Sequence, residues 1–304
     1  MAGHGRSDHL REGYLLVDYA ADVLLAADAL GWQTLSLLGH SLGGYVASIA
    51  AGTQPERIAR LVLLDIIGPN GRQADEAPAV LSKSVSWVAE RSTGAKAGGS
   101  RLKVFASVEE AAKQRADKNI GGPMTISNAT LIASRGVVAA KGAAAKPGYM
   151  WASDPRLLQP SKLELTPEAA TAFLQRIRCP ALVLAASDGI YRELLRLGRP
   201  PRGPVGGCGL PLAHAFGRPI CAYLVLLWLT LRTGSKLLAW IGMLPKKQKM
   251  LETIARQVRE GWRVGARLRA MKQFRYEELP SGGHHFHMTT PQETSAAIVN
   301  WLKS

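Results

Sequence analysis

The sequence predicts an α/β fold with a mostly parallel sheet flanked by helices. Three observations predict it. Apolar runs occupy residues 34–38, 61–67 and 181–186, helical periodicity fills the intervals between them, and a glycine-bounded turn joins the first run to a helix. Strands buried on both faces read as unbroken apolar runs, and strands that alternate with helices pair in parallel.

Taken in order, residues 14–30 carry Leu15, Leu16, Val23, Leu24, Ala27 and Leu30 at helical spacing, and Gly31 follows where a helix needs a left-handed cap. Residues 34–38 form the first expected strand. Small and apolar residues over 45–52 read as a buried helix, which ends near Gln54-Pro55. Residues 61–67 form a second strand and 181–186, behind Cys179-Pro180, a third. Between these two lie about a hundred residues of helix and loop, a separate lobe, with Gly- and Ala-rich stretches at 94–99 and 139–145. A fourth strand, 274–279, runs into Pro280-Ser281-Gly282-Gly283-His284. Thr290-Pro291-Gln292-Glu293 has the pattern of a capping box with proline at the first helical position, opening the last helix.

With 304 residues, 47% of them apolar, the chain can bury a full globular core. Cys179, Cys208 and Cys221 form an odd set without C-x-x-C spacing, which implies neither a disulfide framework nor a zinc site and fits a reducing compartment. The N-terminus lacks the apolar core of a secretory signal, so the expected location is cytoplasmic. The net charge of +15 is unevenly spread. From residue 194 to 251 there is no Asp or Glu, while Arg196, Arg199, Arg202, Arg218, Arg232, Lys236, Lys246, Lys247 and Lys249 supply nine positive charges. The remainder is mildly basic and has no aromatic-interleaved basic motif, which argues against a nucleic-acid partner. Within the basic stretch, residues 219–231 form a thirteen-residue apolar run bounded by Arg218 and Arg232. A bilayer span needs about 20 residues, so this run is expected to be a buried or interfacial helix, with peripheral membrane contact as its functional reading.

The chemistry concentrates at Gly39-His40-Ser41-Leu42-Gly43. Glycines two residues either side of a serine permit a tight strand-to-helix turn that exposes Oγ above the sheet, and the following N–H, that of Leu42, is a candidate oxyanion donor. A serine hydroxyl needs a base to take its proton and a carboxylate to orient that base. His284 follows a strand and two glycines, where a loop can bring an imidazole over the sheet end. His285 and His287 stand beside it, but the loop contains no carboxylate or cysteine to complete a metal site, so neither metal nor cofactor is expected. His40 is expected to pack against the turn. For the acid, Asp188 at the end of the third strand is preferred, with Asp65 at the end of the second as its rival.

These residues resemble the α/β-hydrolase superfamily, and within it serine-hydrolase-like proteins with a helical lid. The match rests on Gly3-His4-Gly5-Arg6-Ser7-Asp8-His9, Leu38-Gly39-His40-Ser41-Leu42-Gly43-Gly44, Arg60-Leu61-Val62-Leu63-Leu64-Asp65, Trp151-Ala152-Ser153-Asp154-Pro155-Arg156, and residues 279–288 with Pro291. In these families the histidine precedes by seven residues a proline that opens the last helix, which selects His284. Serine at position 41 argues against dehalogenase or epoxide-hydrolase chemistry, which places aspartate there. In the family the first strands and a His-Gly oxyanion loop precede the Gly-x-Gly-x-Ser segment, here two residues from Met1. The resemblance therefore implies a fold incomplete at the N-terminus, the product of a truncated or mis-spliced gene.

The organisation that follows has five parts. Residues 1–68 hold the first part of the core with the nucleophile turn, 69–161 the lid, 162–197 the acid strand, 198–249 a basic and apolar insert, and 250–304 the histidine loop and last helix. The implied function is a serine hydrolase acting on an ester or related acyl bond of a small-molecule substrate. The rivals are a catalytically inactive hydrolase-like binding protein and a membrane-surface protein using residues 198–249.

Overall fold

The structure is a computed structural model that describes residues 1–11, 13–69, 71–92, 103–119, 124–140, 147–190 and 267–304. The insert expected at 198–249, with its apolar run, lies outside the described residues. The chain divides into two compact units, residues 1–191 with 270–304 and residues 192–269; the first holds nearly all the described residues.

Its centre is a four-stranded sheet in the order β1 (Leu35–His40), β2 (Ile58–Leu64), β5 (Ala181–Ala186), β6 (Phe274–Leu279), with every neighbouring pair parallel. The burial pattern explains the sequence pattern. All of β5 is buried, as are Leu61 to Leu64 of β2, so these strands read as unbroken apolar runs. The outer strands β1 and β6 alternate or are only partly covered, and β6 carries Arg275, Glu277 and Glu278.

One sheet face is covered by α2 (Leu42–Thr53), which packs between α1 (Leu16–Ala29) and α6 (Pro167–Arg176). Small residues on α2 permit close approach: a Cβ on Gly52 would lie 2.3 Å from the Phe173 carbonyl oxygen of α6. Val62, Leu64, Leu182 and Leu184 form a core cluster with Phe286 and with Trp301 of the last helix, α8 (Pro291–Lys303). Truncating a buried leucine of this cluster to alanine costs about 2–5 kcal/mol.

Between β2 and α6 the chain forms α3 (Ala77–Ser92), α4 (Val108–Asp117), α5 (Ile126–Gly136) and the antiparallel pair β3 (Val137–Ala139) and β4 (Tyr149–Trp151). Phe105, Ala111, Ala112, Met124, Ala129 and Ala133 give this region its own buried cluster, against which Met288 packs. The capping box expected at Thr290 does not form. A short helix, α7 (Phe286–Thr289), precedes it, and the Thr290 hydroxyl donates back to the Phe286 carbonyl instead of capping α8.

Candidate active site

Successive strand ends step toward one point at the carboxyl edge of the sheet. Ser41 N–H donates to Leu64 O, Asp65 N–H to Leu184 O and Ser187 N–H to Leu279 O, so the residue after each strand is held by its neighbour. In parallel α/β sheets this edge is where ligands bind.

Ser41 occupies the turn between β1 and α2 with φ 50° and ψ −117°. Asp65 follows β2 with φ 47°. Among the described residues these are the two non-glycine positions at positive φ, a conformation that costs of order 1–3 kcal/mol and persists where the surroundings impose it. The turn needs glycine at 39, where a Cβ would stand 2.4 Å from the backbone of Gly43, and at 44, where one would strike Ile66. Gly43 faces open space, so the expectation that glycines 39 and 43 both matter sterically is corrected: the tight partner is Gly44. The N–H of Leu42 opens α2 without a backbone partner among the described residues, as the first N–H groups of a helix do.

His284 is buried, and its Nδ1 lies 2.6 Å from Oδ2 of the fully buried Asp65. The same carboxylate oxygen accepts the Ile190 N–H at 3.1 Å. Close approach of that loop depends on Gly189, where a Cβ would lie 2.6 Å from Asp65 Oδ1. The preference for Asp188 as the partner of the imidazole is therefore corrected. Asp188 Oδ1 accepts the Gly283 N–H at 2.7 Å, so it holds the loop that carries His284, while Asp65, one strand further in, reaches the ring. The loop is fixed from its other side by Thr289, whose hydroxyl donates to Gly282 O at 2.7 Å. With Nδ1 committed to Asp65, Nε2 is the nitrogen left for a hydroxyl. Ser41 makes no side-chain hydrogen bond among the described residues.

His40 does pack against the turn, and it also joins the C-terminal histidines. Its Nε2 donates to the His284 carbonyl at 2.7 Å, and its ring centre lies 4.6 Å from that of His284, 5.1 Å from that of His285 and 4.2 Å from that of His287. One ring nitrogen from each of His40, His285 and His287 lies within 4.8 Å of the other two, an arrangement able to hold a metal ion. Burial pushes His40 and His285 down to about 4 and lowers His287, with neighbouring imidazoles adding to the effect, so all three are neutral near pH 7. Sequence spacing gives no hint that His40 belongs with His285 and His287 at the far end of the chain.

A further feature missed in the sequence is a polar anchor at Asp154. Burial pushes its carboxyl up, but hydrogen bonds from Arg156 and Tyr14 outweigh this and hold it below the usual carboxylate range. Its backbone N–H donates to Gly3 O, tying residues 151–156 to the N-terminal segment.

A family model described as the alpha/beta hydrolase fold matches residues 1–98, and the matched stretch contains the Ser41 turn and Asp65. A crystal structure of a hypothetical protein from Pseudomonas aeruginosa PAO1 superimposes with a TM-score of 0.65 at 28% identity, covering 100% of this chain and 80% of that one. The chain has the α/β-hydrolase fold. The chain is similar to a serine hydrolase-like protein of Dictyostelium discoideum, 27% identical over 192 residues, which are 60% of this chain and 49% of the relative. A serine hydrolase-like protein of Danio rerio is 24% identical over 193 residues, 62% of this chain and 56% of the relative. The chain thus spans about half the length of the curated relatives it matches. Among its described residues no helix is long and apolar enough to cross a membrane.

Proposed function

We propose that the chain hydrolyses an ester or related acyl bond of a small-molecule substrate through an acyl-Ser41 intermediate. The observation that carries this reading is the buried His284–Asp65 pair, 2.6 Å apart, at the sheet edge where Ser41 is held at positive φ. Ser41 Oγ attacks the acyl carbonyl as His284 Nε2 takes its proton. Asp65 fixes the tautomer that leaves Nε2 free and stabilises the imidazolium. The Leu42 N–H donates to the oxyanion of the tetrahedral intermediate. His284 then protonates the leaving group, and water, deprotonated by the same nitrogen, releases the acid. Catalytic hydrogen bonds tighten when substrate arrives, so a Ser41 hydroxyl without a partner among the described residues is compatible with this sequence.

A fluorophosphonate probe tests it. Labelling of the purified chain that disappears in Ser41→Ala supports the acyl-enzyme. A folded chain that takes no label favours the second reading, a hydrolase-like binding protein, for which the Ser41 hydroxyl without a partner among the described residues is the observation.

A further inference from the structure

His40, His285 and His287 meet beside the Asp65–His284 pair but outside the proton relay. Each is half-buried, and their ligand atoms lie within 4.8 Å of one another. Two independent observations give the cluster a direction. First, His40 donates Nε2–H to the His284 carbonyl, which leaves the Nδ1 lone pair free; histidines that bind metal characteristically anchor their other nitrogen on a carbonyl or carboxylate in this way. Second, Nδ1 of His287 is buried and has no hydrogen-bond partner among the described residues, an arrangement native proteins rarely leave unexplained.

We propose that His40, His285 and His287 form a binding site for a borderline transition-metal dication, Zn2+ foremost. Three imidazoles without a carboxylate suit zinc, nickel or copper and exclude magnesium and calcium, which demand oxygen. Zn–N bonds of about 2.0–2.1 Å place tetrahedral ligands roughly 3.4 Å apart. The rings therefore close by about 1.4 Å at most from their present spacing, a movement that rotation of half-buried side chains supplies. The fourth position stays open to water.

The experiment is a zinc titration of the whole chain, stripped with chelator, by equilibrium dialysis, with Co2+ absorption in parallel. One saturable site is expected, at least about tenfold weaker in His285→Gln and in His287→Gln and unchanged in His4→Gln. Co2+ bound to the unmodified chain should give the intense visible bands of a four-coordinate nitrogen-rich site, a reading that survives if a variant fails to fold. Absence of a saturable site, weak six-coordinate Co2+ bands, or affinity unchanged in both glutamine variants overturns the proposal. Metal binding is read without reference to labelling, so a chain that binds zinc but takes no fluorophosphonate retires the acyl-enzyme reading and leaves the metal site standing.

Discussion

His284 Nδ1 stands 2.6 Å from Asp65 Oδ2, although 219 residues separate them in sequence, while Asp188 lies on the same loop system and faces a backbone N–H. Exchanging each aspartate for asparagine separates orientation of the ring from support of its loop. Asp65→Asn should lower the rate of Ser41 acylation by about 10⁴-fold, because an amide favours the wrong tautomer. Asp188→Asn keeps a neutral acceptor for Gly283 and should cost only a few-fold. Stopped-flow labelling of the two variants checks this, and equal losses would contradict the assignment.

Glycines 39 and 43 flank the nucleophile symmetrically in sequence but not in space. Gly39→Ala forces a Cβ to 2.4 Å from backbone and should destabilise by about 2 kcal/mol or more, in the range of overpacked cores. Gly43→Ala enters open space inside a helix and should change stability by less than about 1 kcal/mol, favourably if at all. Urea denaturation of both variants measures the contrast.

Asp154 is 4% exposed and receives hydrogen bonds from Tyr14 at 2.6 Å and from the backbone N–H and two guanidinium nitrogens of Arg156. Asp154→Asn should cost about 2 kcal/mol and Tyr14→Phe about 1 kcal/mol, the difference being the charge. Because Asp154→Asn weakens the bond that Tyr14→Phe removes, the double variant should lose less than the sum. Thermal unfolding of the three proteins closes the cycle.

The histidine cluster makes stability depend on pH in a definite direction. His40 and His285 are lowered from 6.5 to about 4 when folded, so between those values the unfolded chain binds protons that the native chain does not. Stability then rises with pH across that window and is lost as pH falls from about 6.5 toward 4; below it both states are protonated and these groups contribute no further change. In chelator, His285→Gln should reduce the slope of Tm against pH between 4 and 6.5. A slope identical to that of the unmodified chain would count against burial as the cause.

Much of this was legible in the sequence where one side chain's neighbours are set by local spacing. The strands at 181–186 and 274–279 and the turn at Ser41 followed from periodicity and glycine spacing, since buried parallel strands and tight turns leave local signatures. The choice between Asp65 and Asp188 did not, because both end strands and strand order decides which one faces the imidazole. Nor did the role of Thr290, whose capping pattern was complete until the short helix before it offered the hydroxyl another acceptor. His40 was hidden for the same reason as Asp65: its neighbours come from the far end of the chain.

Among the described residues the strand that delivers His284 joins the sheet through β5 alone, and Phe286 of α7 and Trp301 of the last helix pack against it there. During synthesis the Ser41 turn and Asp65 emerge long before that strand exists, and pairing at such a separation is slow. A nascent chain can therefore present a formed but unreactive serine until its final segment docks. On the proposed acyl-enzyme reading, Ser41 labelling then dates the completion of folding, and a ribosome stalled short of residue 284 carries the Ser41 turn without His284.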